Sequence, residues 1–498
     1  MDPISYTSEL KREGKLSVRL KIAQGLGALP DSLKDYAFKA FLLLYYDRVL
    51  GMPSSWAAGA LFIALVVDAI SDPLVGSLSD NFRSKFGRRH PFMFAAALPL
   101  GFAIFLLFSP PASLDEVGLF FWLLTFTIST RVAMTFFYVP WSALFAEFTE
   151  DYVERSVLAS YRMLVVFVGL LIFVFAVYSE VFASNEAYPE GQLNPDAYPR
   201  FAMVLGICLA LPAFLTTWFT RNEVPYLLQP VEPTRFSVAQ TLREVRLALS
   251  NRNFRVLFLC VLFTFILGGT SGAFEIYMRT YFWGLASEDL RWFALSAIGA
   301  IAVLVLIPPL QKRFDKKNLL VGALFLLLFD GMFLVCMRFV DVLPDNGDPR
   351  LLWLLVGNGV LRGALLGILL VMFVSMLADL LDKQELDTGR RQEGIFMSSI
   401  SFSAKATSGF GLLLAGVLLE YVIRFPQGSA GVSPADLDAQ TVFRLGLMDG
   451  IVVPLFYIIP FTFLARGYDL TRQDHEEVQR KLTLVRVNRG AAQSGGAS

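Results

Sequence analysis

Charge is scarce in this chain, and cysteine and histidine are scarcer still. Asp, Glu, Lys and Arg make up 17% of its 498 residues, against the roughly one quarter usual in soluble domains. The charge present is balanced, 43 basic residues against 43 acidic. A nucleic-acid binder needs a basic excess to displace counterions from phosphate, so no nucleic-acid partner is expected. The three cysteines, Cys208, Cys260 and Cys336, each lie in an apolar run with no CxxC spacing. That excludes a disulfide framework or thiolate metal site and leaves them as small core hydrophobes. The two histidines, His90 and His475, fall in charged segments far from any Ser or Cys nucleophile. A hydrolytic triad therefore has no support, and the chain is not expected to be an enzyme or to carry a cofactor. The first thirty residues hold no uninterrupted apolar stretch, so they are not read as a cleaved signal peptide.

Apolar residues are what the chain has in abundance: 55% are hydrophobic, 46 of them Phe. A membrane helix needs about 20 largely apolar residues. By that rule spans are expected at 33–50, 57–79, 91–109, 117–144, 156–180, 200–219, 254–283, 292–311, 318–339, 351–377, 393–421 and 442–465. This predicts an all-α membrane protein of about twelve helices. The expected organisation is a cytoplasmic N-terminal segment (1–30), a six-helix bundle (31–219), a central loop (220–253), a second six-helix bundle (254–465) and a tail (466–498). Within the central loop, "SVAQTLREVRLALS" sets Leu242, Val245, Leu247 and Leu249 among Arg and Glu, as an amphipathic surface helix would. Basic residues cluster before the first span and after the second, eighth and twelfth, so the positive-inside rule places both termini in the cytoplasm. The chain is expected to act as a monomer in the lipid of the cytoplasmic membrane.

An ionised side chain at the bilayer centre costs about 2.5–3.5 kcal/mol on insertion scales, so charges inside spans are informative. The stretch "VVDAISDPLVG" carries two, Asp68 and Asp72. At i and i+4 they share a helix face about 6 Å apart, where their repulsion is about 3 kcal/mol at an effective dielectric near 20. A bound cation or a proton would relieve it. Ser71 offers a hydroxyl oxygen, and Pro73 withholds a backbone donor and so leaves a carbonyl available. In "MSSISFSAKATSGFG", Lys405 lies among small and hydroxyl residues and suits a bundle-interior position facing these acids. Arg131 and Arg162 are candidates for substrate or structural pairing, while Glu275, Asp330, Arg362 and Asp449 suit interhelical pairs. Asp35 and Lys39, four apart, are expected to neutralise each other. Gly359, Gly363 and Gly367 on one face read as close helix packing.

Three stretches together, "LVVDAISDPLVGSLSDNFRSKFGRRHPFM", "YVPWSALFAEFTEDYVERSVLASYRM" and "SMLADLLDKQELDTGRRQEGIFMSSISFSAKATSGFG", resemble the glycoside-pentoside-hexuronide:cation symporters, a branch of the major facilitator superfamily. The resemblance covers nearly the whole chain and implies a twelve-helix fold of two six-helix bundles. It implies that Asp68 and Asp72 are the cation-site carboxylates, that Ser71 replaces a neighbouring asparagine, and that Thr135 adds a hydroxyl. Lys405 matches a lysine that approaches these acids, and Arg162 an arginine used in sugar recognition. Asp80, Arg83, Gly87, Arg88 and Arg89 match a loop motif that locks the helices at one membrane face. Where the melibiose-handling member places sugar-binding aspartates, this chain has Ser32 and Tyr138, which argues against a galactoside. Trp141 beside Tyr138 could stack on a sugar face or an amphiphile.

The resulting expectation is a secondary active symporter. Its small-molecule substrate would be a sugar, glycoside or related solute, and its coupling ion Na+ or H+, with Asp68 and Asp72 as metal ligands if the ion is sodium. The substrate contacts would be Ser32, Tyr138, Trp141, Arg162 and Lys405. A lysolipid or other amphiphile symporter and a non-transporting sensor on the same fold are the alternatives.

Overall fold

The computed structural model describes residues 14–470 apart from 150–151, 228, 231–248, 389–406, 408 and 427–436, together with Tyr6–Thr7 and a few positions between 474 and 482. Lys405 and the amphipathic segment expected in the central loop lie outside the described residues. Helices dominate. The one strand pairing among the described residues joins Tyr6–Thr7 to Gln229–Pro230, antiparallel.

The first half runs α1 (Val18–Leu26), α2 (Leu29–Ala37), α3 (Ser54–Asn81), α4 (His90–Leu107), α5 (Glu116–Glu147), α6 (Tyr152–Ala176) and α7 (Ala197–Thr220). The second runs α8 (Arg252–Tyr277), α9 (Ser296–Arg313), α10 (Lys316–Phe339), α11 (Pro349–Thr388), α12 (Gly409–Ile423) and α13 (Ala439–Gly467). Helix starts are capped by short polar side chains that accept otherwise unmet N–H groups: Ser17 from Leu20 at 3.2 Å and Asp115 from Gly118 at 2.8 Å.

Among the described residues nine helices are long and apolar enough to cross a membrane, or ten if Ser287–Val303 and Val305–Arg313, meeting at 47°, count as one bent span. Pro308 explains the bend, because its ring lacks a donor for the carbonyl four residues back and clashes with it. Two further segments bring the total to the expected twelve. One is α2 with the π turns that extend it, Phe38–Leu42 and Tyr45–Val49, which carries Lys34, Asp35, Lys39, Asp47 and Arg48. The other is α12. The spans bare much of their apolar surface: Leu98 is 76% exposed and Val305 73%. Such faces are stable only against hydrocarbon, so the chain is a multi-pass membrane protein.

The chain forms two compact units. The first holds residues 1–236, 272–294 and 412–445; the second holds 237–271, 295–411 and 446–498. Residues 272–294 and 412–445, placed by sequence in the second bundle, thus pack with the first. In the first unit Phe41 sits among Tyr178, Phe182 and Phe201 with ring centroids 4.9–5.6 Å apart. Helices α4 and α7 meet backbone to backbone, since a Cβ on Gly101 would fall 2.8 Å from the Gly206 carbonyl oxygen. In the second unit α9 and α11 do the same, where a Cβ on Gly363 would overlap the Ser296 carbonyl and Gly367 lies against Ala300.

An ionic cluster joins the added segments to the first unit. Asp47 is 1% exposed and Arg48 fully buried. Asp47 accepts from the Tyr277 hydroxyl at 2.7 Å. Arg48 donates to the carbonyl of Pro426 and lies 4.7 Å from the Phe425 ring centre and 5.8 Å from that of Tyr281. Glu420 accepts from the Ser55 amide at 2.9 Å, capping the start of α3. Three π turns, Tyr45–Val49, Met278–Phe282 and Leu418–Ile423, place these groups, and π turns recur at functional positions. Tyr277→Phe removes the hydroxyl donor and leaves the buried Asp47 carboxylate short of a partner. The expected loss is about 1–3 kcal/mol, read as a lower thermal unfolding midpoint of the purified protein.

Candidate functional site

Helix α3 carries both acids on one face, and that face packs against α5. Asp68 is 5% exposed and Thr135, on α5, 2%; Asp72 and Ser71 are half-buried. The Thr135 Oγ1 lies 3.1 Å from Asp68 Oδ1, 2.9 Å from Asp72 Oδ1 and 3.3 Å from Ser71 Oγ. Ser71 Oγ also sits 3.1 Å from the Asp68 carbonyl, the back-bonded geometry typical of a helical serine. Three side-chain oxygens of α3 therefore converge on one hydroxyl of α5. That hydroxyl has a single proton and serves one carboxylate at a time, so the cluster is arranged for a cation or a proton to be shared among its oxygens. No grouping of three or more His, Cys, Asp or Glu side chains suited to a metal ion occurs among the described residues. Any metal held here would depend on the two hydroxyls and on backbone oxygen.

One turn before Thr135 on α5, Arg131 brings its Nη1 to 3.4 Å from Asp68 Oδ2. Arg131 is 8% exposed and its guanidinium lies 5.3 Å from the Phe38 ring centre. Lys34 is also near: it is 5% exposed and bonds Asp31 at 2.7 Å and Asp35 at 3.2 Å. Asp35 is thus paired most closely with its neighbour Lys34 at 3.2 Å, and Lys39, four residues on as the spacing had favoured, adds a second positive charge in reach of it.

Three of the expected substrate residues, Arg162, Tyr138 and Trp141, form a second station. Arg162 on α6 donates to the Tyr138 hydroxyl at 3.2 Å and stacks 3.9 Å from the Trp141 ring centre. Trp141 is fully buried and its indole N–H donates to the Gln24 carbonyl at 3.1 Å. Trp141 therefore seats the guanidinium and presents no open ring face. Ser32 donates to the Ala28 carbonyl of its own helix at 3.0 Å and is not joined to this group. Gln24, which sequence reasoning passed over, is fully buried with neither side-chain amide atom hydrogen-bonded. Its one visible signal was an amide inside the apolar run "KIAQGLGAL".

The loop motif closes into an ion network. Arg89 bonds Asp80 at 2.8 Å and Glu147 at 2.6 Å, and Arg88 bonds the same Glu147 oxygen at 2.6 Å. Gly87 turns the chain with φ +78°, a conformation only glycine adopts without strain. Arg83 takes no part and bonds the carbonyls of Asp80 and Phe82. Glu147, the shared acid, lay in the quoted "FAEFTED" stretch but has nothing in its local spacing to mark it. In the second unit Lys316 bonds both Asp379 oxygens at 2.7 Å. A cavity of about 620 Å³ beside it is lined by Lys312, Lys316, Lys317 and Asp379 and contains none of the expected site residues.

Residues 23–472 match the family described as MFS/sugar transport protein. The chain belongs to that family. It is a transporter rather than an enzyme, as the resemblance had implied. It is 25% identical to the putative glycoside/cation symporter YagG of Escherichia coli, over 96% of this chain and 97% of that protein. To the sphingosine-1-phosphate transporter MFSD2B of Xenopus tropicalis it is also 25% identical, over 96% and 93%. The solved D-xylose-proton symporter superposes with a TM-score of 0.60 at 13% identity, covering 91% of this chain and 98% of that one, so it shares the fold.

Removing Glu147 by Glu147→Ala leaves the buried Arg88 and Arg89 guanidiniums without the acid they share. The expected cost is about 3–5 kcal/mol, seen as a large drop in the thermal midpoint, whereas Arg83→Ala should change it by less than about 0.5 kcal/mol.

Proposed function

We propose that the protein is a cation-coupled symporter of a small organic solute, a sugar or glycoside, working by alternating access in the cytoplasmic membrane with both termini in the cytoplasm. The observation that carries this reading is the convergence of Asp68, Asp72 and Ser71 oxygens on the Thr135 hydroxyl. An ion bound there reduces the repulsion of the two acids. If the ion-bound state is the one that takes substrate, substrate in turn raises ion affinity, which is coupling. Similarity to a putative glycoside/cation symporter supports the same class. Asp80, Gly87, Arg88 and Arg89, with Glu147, would act as a conformational lock whose ion pairs hold one state.

The substrate contact in the first unit is Arg162, oriented by Tyr138 and Trp141, with Gln24 beside it. Arg162 offers donors and a permanent positive charge. Tyr138 stands where a galactoside carrier has a carboxylate. This station suits a solute with an acidic or strongly accepting group, and similarity to a sphingosine-1-phosphate transporter keeps an amphiphile as the second reading.

The test is uptake into proteoliposomes with an imposed ion gradient, using labelled pentoses, hexoses, glycosides and lysolipids. Asp72→Asn should lose gradient-driven accumulation by tenfold or more while still equilibrating solute. Undiminished accumulation by that variant would remove the coupling role, and binding without accumulation by the unaltered protein would favour the sensor.

A further inference from the structure

Resting on the symport reading, we infer that Arg131 sets the ion selectivity of the acid pair: it occupies the Asp68 half of the site as a built-in cation and so selects against sodium. Sodium is a hard cation that gives up water only where several oxygens, anionic ones above all, replace it. Between Asp68 and Asp72 the two carboxylates are its strongest oxygen ligands on offer. The structure commits one of them elsewhere, since Asp68 Oδ2 faces the Arg131 guanidinium at 3.4 Å while its Oδ1 faces Thr135 at 3.1 Å.

Arg131 is held there from two sides, by Asp68 and by the face of Phe38, 5.3 Å from its Cζ, and it is 8% exposed. An arginine cannot shed its charge, so at least one of the two negative charges is balanced at all working pH values. On α2, Lys34 lies within electrostatic reach of both Asp68 and Arg131, and it engages Asp31 and Asp35 itself. With Arg131 against Asp68, the oxygens that converge on Thr135 carry less net negative charge than two unpaired carboxylates would. Arg131 lies one helical turn from Thr135 on α5 and so is fixed by the same helix pair that builds the site.

Thermal unfolding of the purified full-length protein, followed by tryptophan fluorescence at constant pH and ionic strength in NaCl, KCl or choline chloride, tests this without any substrate. The unaltered protein should give the same midpoint in all three salts. Arg131→Met should gain a saturable, sodium-specific rise of roughly 2–4 °C, as a newly bound ion stabilises the folded state, whereas Arg131→Lys should stay indifferent to sodium. A sodium-specific, saturable rise in the unaltered protein overturns the inference whether or not the variants fold, and so does a folded Arg131→Met protein that ignores sodium. Continued accumulation by Asp72→Asn would instead sink the symport reading, independently of the salt result.

Discussion

A charge buried in a medium that cannot solvate it must find its neutralising partner inside the protein. The first unit is organised around that constraint. Among its described residues acids and cations meet in several places, among them Asp68 with Arg131, Lys34 with Asp31 and Asp35, Arg88 and Arg89 with Asp80 and Glu147, and Arg48 beside Asp47 among aromatic rings. Asp68 with Arg131 and Arg88 and Arg89 with Glu147 join elements distant in the chain, so these pairs act as registry devices for helices whose apolar faces specify little. Where lipid is as apolar as the helix, packing of small residues and polar contacts must decide which helix meets which. Gly101 against Gly206 and Thr135 against Asp68 and Asp72 are the two kinds of contact in this protein.

The two units repeat one of these devices. In the first, Arg88 and Arg89 precede the third membrane helix and bind Glu147 at the end of the fourth. In the second, Lys316 opens the helix after the basic loop and binds Asp379 near the end of the next. The chemistry differs, a forked arginine pair against a single ammonium, but the places in each set of six helices agree. Internal duplication thus has support beyond the basic loops alone, which topology would require anyway.

The family and the membrane fold were legible because they rest on run length and on motifs contiguous in the chain. The pair Asp68 and Asp72 stood out for the same reason, as two carboxylates one turn apart in an apolar run. Other features were invisible locally. Asp47 and Arg48 sit at the end of a span, where charge is common, and only burial against Tyr277, Tyr281 and Phe425 makes them notable. Lys34, not only Lys39, neutralises Asp35, since helical spacing names neighbours on a face but not which side chain comes into direct contact. Trp141, suggestive of a stacking platform, is roofed by Arg162.

By itself the sequence determined that this chain spans the membrane many times, that it belongs to a family of transporters, and that its acids on α3 need a positive partner. Hydrophobic length and the cost of buried charge act residue by residue along the chain. Only the tertiary structure decided which positive partner that is and which oxygens surround the acids. Arg131 and Thr135 reach Asp68 through the packing of α5 on α3, and contact across helices depends on rotation and depth that no local spacing encodes.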